Sequence, residues 1–237
     1  VLFRSFVRNK PVKLFVQLGF HSGKIFFAES VGAKCYNGYS VNFASLAGKS
    51  MTDPIFLTEK HVGAIAQTVF YEQTGGKIKI GEKEVSVTVM QVDFSGIAAN
   101  GSADFNVVAK IDLTPFKADM GGFPYKYFKK YIPDNLYVSS TVRVDKTEED
   151  GFSYTVSHKS LTLNNLSADD TADLFDTLNA VLKIGTAENL NMQVGSMAVN
   201  ALIGTKDNPG FAYSMKAIGA KSFDFGTVSD IDLFIVY

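Results

Sequence analysis

Two stretches of strict alternation dominate the pattern of apolar and polar positions. In the first, Ala103, Phe105, Val107, Ala109, Ile111 and Leu113 share one parity. Asp104, Asn106, Lys110 and Asp112 share the other, with Val108 the exception. In the second, Leu136, Val138, Val142 and Val144 point one way, and Ser139, Thr141, Arg143 and Asp145 the other. Side chains alternate faces along a strand, so each stretch is a ribbon with one buried face. A strand of about eleven residues spans roughly 36 Å, longer than usual. Ribbons of that length belong in a strongly curved sheet, because flat ones aggregate. One polar face also means an antiparallel, half-solvated sheet.

Shorter patterns fill in the rest. Val12–Phe20, Lys24–Phe27 and Tyr39–Leu46 read as strands around turns at His21-Ser22-Gly23 and Asn37-Gly38. Asp53-Pro54 breaks the chain before a helix over Thr58–Tyr71. Its Val62, Ile65, Ala66, Val69 and Phe70 form one apolar stripe, Thr58 is placed to cap it, and Gly75-Gly76 ends it. Strands follow at Lys77–Ile80 and Val85–Phe94. In the latter the parity passes from Val85, Val87 and Val89 to Met90, Val92 and Phe94, which predicts a bulge.

After the second long ribbon comes a turn at Glu148–Gly151. Phe152, Tyr154 and Val156 then give way to Leu161 and Leu163 on the other parity, predicting a second bulge near His158. Ser167 caps a helix whose stripe is Thr171, Leu174, Phe175, Leu178, Val181 and Leu182, with Gly185 beyond it. A third helix runs over Ala187–Ile203. Ser222–Phe225 and Asp230–Tyr237 read as closing strands. The fold class is α+β, a long, curved, mostly antiparallel sheet wrapped on amphipathic helices, in one domain over residues 6–237.

Composition narrows the function without naming it. A net charge of −1 over 237 residues carries no basic field for nucleic acid. The single cysteine, Cys35, excludes a disulfide framework within the chain. No run of about 18 apolar residues is present, so no transmembrane helix is expected in these residues. The chain begins Val1-Leu2-Phe3-Arg4-Ser5, which matches the translated end of a common sequencing adapter. These five residues are expected to be a non-native leader, with the native N-terminus missing.

Candidate chemistry is sparse. His21, His61 and His158 are scattered, with no zinc spacing among them, and read as structural or surface groups. Gly48-Lys49-Ser50 ends like a P-loop, but Phe43 stands where its leading glycine belongs. Asp169, Asp170 and Asp173 could be paired carboxylates but are better explained as charge at a helix start. Asn100-Gly101-Ser102 and Asn165-Leu166-Ser167 match the glycosylation sequon, a weak pattern. No catalytic residue, metal or cofactor is expected.

The richest segment joins the two ribbons: Phe123, Pro124, Tyr125, Lys126, Tyr127, Phe128, Lys129, Lys130, Tyr131, Ile132 and Pro133. Its rings suit a lipid interface or a ligand lip, and Lys126, Lys129 and Lys130 suit anionic headgroups. The other reading is a short helix that packs Phe128 and Ile132 on the core.

The helix opening Thr58-Glu59-Lys60, the long amphipathic strands, the connection from Pro124 to Ile132-Pro133 and the capped helix together resemble the YpmS-like proteins of Gram-positive bacteria. Those look like relatives of the tubular lipid-binding (TULIP) superfamily. The likeness covers about residues 55–204; the missing anchor and the extra N-terminal segment depart from it. It implies a half-barrel sheet around an apolar groove, an N-terminal membrane anchor and an extracytoplasmic location. On that basis Phe105, Val107, Ile111, Val138 and Val142 are expected to line a lipid groove, with Phe123–Tyr131 at its lip. The alternative is a structural or protein-interaction module of the cell envelope with no small-molecule ligand. A dispersed hydrolase site leaves no local signature and stays as a third reading.

Overall fold

The computed structural model describes residues 24–26, 40–42, 51–118, 132–147, 150–164, 166–182 and 185–237. The segment 119–131, the proposed strand at Val12–Phe20, His21 and Cys35 lie outside them. Near the N-terminus, β1 (Lys24–Phe26) pairs antiparallel with β2 (Ser40–Asn42).

The body is α+β, and its main sheet is a curled, antiparallel half-barrel of five strands. These are β4 (Lys77–Ile80), β5 (Lys83–Ser95), β6 (Ala103–Asp112), β7 (Asn135–Lys146) and β8 (Tyr154–Leu163), adjacent in chain order. The alternation reads out directly. Ala103, Phe105, Val107, Ala109 and Ile111 are all buried, as are Leu136, Val138, Val142 and Val144 on the neighbouring strand. Both bulges are present. The β5–β6 register shifts between Val89 and Gln91, so Met90 is the extra residue. Thr141 pairs with Ser160 and Val142 with His158, which leaves Lys159 unopposed. Each bulge bends its strand and adds to the curl.

Two helices fill the inner face. Helix α1 (Glu59–Thr74) lies against β5 and buries Val62, Ile65, Ala66, Val69 and Phe70. Gly75 ends it in the left-handed conformation (φ 66°) that glycine adopts without strain. After the short α2 (Thr114–Ala118) and the sheet strands, α3 (Ala168–Leu182) packs on β8. Helix α4 (Ala187–Leu202) then lies across β6, β7 and β8 and against α1, with Leu190, Val194, Ala198, Ala201 and Leu202 buried.

The sequence pattern missed a second sheet. β3 (Ile55–Thr58) pairs with β10 (Ile231–Val236), which pairs with β9 (Phe223–Val228). Four residues ahead of a helix carry too little periodicity to mark a strand, and their partner lies far along the chain at Ile231–Val236. A short helix, α5 (Phe211–Ser214), and a 3₁₀ turn (Met215–Ile218) lead into β9. This small sheet brings Phe223, Phe225 and Phe234 together and sets Phe225 against Phe94 and Phe105, with ring centroids 5.1 and 6.3 Å away. Offset and edge-on contacts of this kind add to the stabilisation from burial alone.

The sheet edges are closed by specific groups. β4 covers only the start of β5. Beyond it, α1 side chains take the free amides: Gln67 Oε1 accepts from Val89 N at 2.6 Å, and Glu59 Oε1 from Phe94 N at 2.7 Å. At the far edge, Thr171 Oγ1 on α3 accepts from Leu163 N. Buried backbone donors without partners are costly, so these side chains hold the helices in register with the sheet.

Candidate functional site

The expected groove residues do come together. Phe105, Val107, Ile111, Val138 and Val142 all project from the inner face and are 0% exposed. What covers them is the protein itself. At Gly195, midway along α4, a Cβ would stand 2.4 Å from Val142 Cγ1 and 3.1 Å from Ser140 Oγ. The helix therefore rests on the strand at a distance only glycine permits. The lip residues Phe123, Tyr125, Tyr127, Phe128 and Tyr131, with Lys126, Lys129 and Lys130, lie outside the described residues. Ile132 at the end of that segment is buried.

A polar bridge pins α4 to the sheet. Ser140 occupies an inward position on β7, and Asn191 faces it from α4; both are 0% exposed. Ser140 Oγ lies 2.6 Å from Asn191 Oδ1 and 2.9 Å from its backbone carbonyl. Asn191 Nδ2 donates to Thr141 O at 3.0 Å and lies 2.5 Å from His158 Nδ1. A carbonyl can only accept, so the Thr141 contact sets the amide orientation and makes His158 Nδ1 an acceptor. Ser140 breaks an otherwise apolar parity, which is the one sequence signal for this bridge. Its partner on a distant helix carries none.

Ser140 and Asn191 are thus committed to each other inside the packing, and His158, exposed on β8, is tied to them through the asparagine amide. His61 is committed as well: its Nδ1 accepts from Thr58 N at 3.2 Å and lies 3.0 Å from Thr58 Oγ1, closing the start of α1. Burial, with a smaller push from Lys60, drops its pKa to about 4. Burial also raises the Glu59 carboxyl above its ordinary value, against the opposing bond from Phe94 N. Tyr154 is pushed up to about 12 by burial, and its hydroxyl donates to Asn200 Oδ1 at 2.6 Å. Among the described residues no group of three or more His, Cys, Asp or Glu side chains could hold a metal ion. None of the described helices is long and apolar enough to cross a membrane.

The outer face differs in kind. Asp104 anchors a charged cluster there, with Arg143 Nη1 at 3.3 Å and Lys159 in contact, while Arg143 Nε donates to Asp145 at 3.0 Å. Further along, Val108, Asn135, Tyr137, Val138, Ser139 and Asn164 line an open depression of about 410 Å³, with Tyr137 46% exposed. A second cleft, of about 360 Å³, lies where the end of α1 meets β4 and α4.

The first sequon is built into the fold. Asn100 Oδ1 accepts from Ser102 N at 3.1 Å, and Ser102 is buried with its hydroxyl accepting from Lys146 N. Gly101 between them (φ 79°) abuts Asp224, where a Cβ would come within 2.3 Å of Oδ1. Asn165 of the second sequon lies outside the described residues.

No family model, no curated protein and no solved structure matches this chain.

Proposed function

We propose that this domain is a non-enzymatic module that acts by binding at its surface, a structural or protein-interaction part with its interior occupied by its own helices. One observation carries the reading: the closeness of Gly195 on α4 to Val142 on β7. A ligand on the inner face would need the volume that α4 occupies. It would also have to break the bonds of Asn191 to Ser140 and Thr141, leaving buried polar groups unpaired. The engagement of His61 and His158 in structural bonds supports a non-catalytic role. A place on the outside of a Gram-positive membrane rests on the resemblance alone and forms part of the proposal.

A lipid carrier is the competing reading. The curl of the five-stranded sheet favours it, since that shape is compatible with a groove. It requires α4 to leave the face and Phe123–Tyr131 to form the lip, with Lys126, Lys129 and Lys130 toward anionic headgroups.

Mass spectrometry of an organic extract of the purified protein, beside a control expressed in the same way, separates the two. An extract without stoichiometric lipid, still empty after incubation with vesicles, is the expected result. A lipid at one per chain overturns the closed-interior reading in favour of the carrier.

A further inference from the structure

The outer edge of β4 is bare. Val87 N donates to Gly76 O at 2.8 Å, so the backbone of Gly76, and with it that of Ile78 and Ile80, turns toward β5. The backbone of Lys77 and Lys79 turns the other way. Lys77 N shows the direction by donating to Thr74 Oγ1 at the end of α1, at 3.3 Å. Among the described residues nothing pairs with the Lys77 carbonyl or with the Lys79 amide and carbonyl. Elsewhere the sheet treats such groups differently: Gln67 and Glu59 take free amides of β5, and Thr171 takes that of Leu163.

This edge forms one wall of the cleft of about 360 Å³, and Gln193, Met197 and Asn200, spaced i, i+4 and i+7 on α4, form another. Ile78 and Met197 both pack against the core here. The carboxamides bring donors and acceptors without charge, which is also what a peptide group carries. The Asn200 carbonyl already accepts from the Tyr154 hydroxyl at 2.6 Å, so that amide offers Nδ2. The opposite face of β4 is different. There Lys77 and Lys79 flank Glu84, with Lys77 Nζ 3.7 Å from it and Ser86 alongside. Two ammonium groups to one carboxylate leave that face positive beside the bare edge.

We propose that the β4 edge takes up an extended strand of a partner protein in which apolar and acidic residues alternate. Backbone bonds to the Lys77 carbonyl and to both groups of Lys79 set its register. Its apolar side chains turn inward over Ile78 and Met197. Its carboxylates turn outward beside Lys77 and Lys79, where cross-strand pairs of opposite charge are favourable. Lysines on an edge strand guard it against pairing. Here the same charge acts as a filter that repels basic strands and admits acidic ones. The assignment rests on the reading of this domain as an interaction module and gives the chemistry of its partner.

Titration of the full chain with a blocked pentapeptide that alternates aspartate and valine, followed by amide chemical shifts, tests the assignment. Saturable shifts at Lys77, Ile78, Lys79 and Met197 are expected, with hydrogen exchange at the Lys79 amide slowed. Methylating the peptide's aspartate amides or its valine amides blocks one of its two edges, so one of these forms should bind at least tenfold more weakly. A peptide with lysine in place of aspartate should lose at least as much. Lys79→Pro removes the outward amide without touching a β4–β5 bond and should cost at least tenfold, whereas Lys79→Gln, which keeps that amide, should cost less. Absence of saturable shifts overturns the proposal, as does undiminished affinity of both methylated forms or of the lysine peptide. If Lys79→Pro lowers the melting temperature, the methylated peptides on the natural chain carry the decision. An empty organic extract with no peptide binding leaves the closed interior standing and removes only this partner. A lipid at one per chain removes the closed interior and leaves this titration, on the outside of the fold, to be read as before.

Discussion

The two faces of β7 are built from alternate residues of one strand and have opposite fates. Leu136, Val138, Ser140, Val142 and Val144 are buried on the inner face, where α4 meets Ser140 and Val142, and the one polar member, Ser140, is bonded to Asn191. Tyr137, Ser139, Thr141, Arg143 and Asp145 face outward, with charged partners or an open depression beside them. The inner face is ordered by volume: a helix is seated at glycine distance, and any change of size is felt. The outer face and the β4 edge are ordered by charge and hydrogen bonding, where side chains can exchange partners without moving the backbone. Binding without refolding therefore belongs to the second kind of surface.

The sharpest way to break this contrast is Phe105→Ala. Phe105 sits between Phe94 and Phe225 and is fully buried, so its loss should cost about 3–5 kcal/mol in denaturant unfolding. A cost below about 1 kcal/mol would mean that the inner face is loosely filled, as a ligand groove would be. Next is Gly195→Val, which forces atoms into Val142 and should cost roughly 1–3 kcal/mol or more. A neutral result would show α4 standing clear of the sheet.

Acid should then loosen the start of α1. The unfolded chain takes a proton at His61 below about pH 6.5, whereas the folded chain resists it down to about 4. Stability contributed by the neutral ring is thus full above pH 6.5 and falls as pH drops toward 4. The loss is roughly 2 kcal/mol once residual solvent contact is allowed for. Glu59, shifted upward by burial, works in the opposite sense near the acid end. The effect of His61 is therefore read as the difference in thermal melting between the natural chain and His61→Gln, whose slope should be shallower. The smallest effect belongs to the outer face: Tyr137→Ser should change stability by no more than about 0.5 kcal/mol. A larger loss would mark Tyr137 as part of the packing.

Much of the fold is local enough to be legible in the chain. Alternation at 103–113 and 136–144 marked the long strands and their buried parity. The parity breaks at Met90 and near His158 marked both bulges, and the stripe from Val62 to Phe70 marked α1. These signals survive because the period of a strand or helix is a property of consecutive residues, and one buried face imposes it. The candidate site was legible only in part. The five inward residues were identified and do share a face, but the lip segment from Phe123 to Tyr131 lies outside the described residues. The β4 cleft escaped notice altogether: Lys77, Lys79, Met197 and Asn200 come from two elements more than a hundred residues apart, and no spacing rule links them.

By itself, then, the chain determined its long strands, its main helices, the buried faces of those strands and the class of fold. Only the tertiary structure decided what covers the inner face. Phe105, Val107 and Val142 present the same alternation whether they line a cavity or meet a helix, because period records that a face is apolar and not what lies against it. That choice was made by Gly195 and Asn191 on α4, whose contacts with Val142 and Ser140 exist only once the chain has closed on itself. The pairing of β3 with β10 is decided in the same way, since the two strands are far apart in the chain and no local pattern in either records its partner.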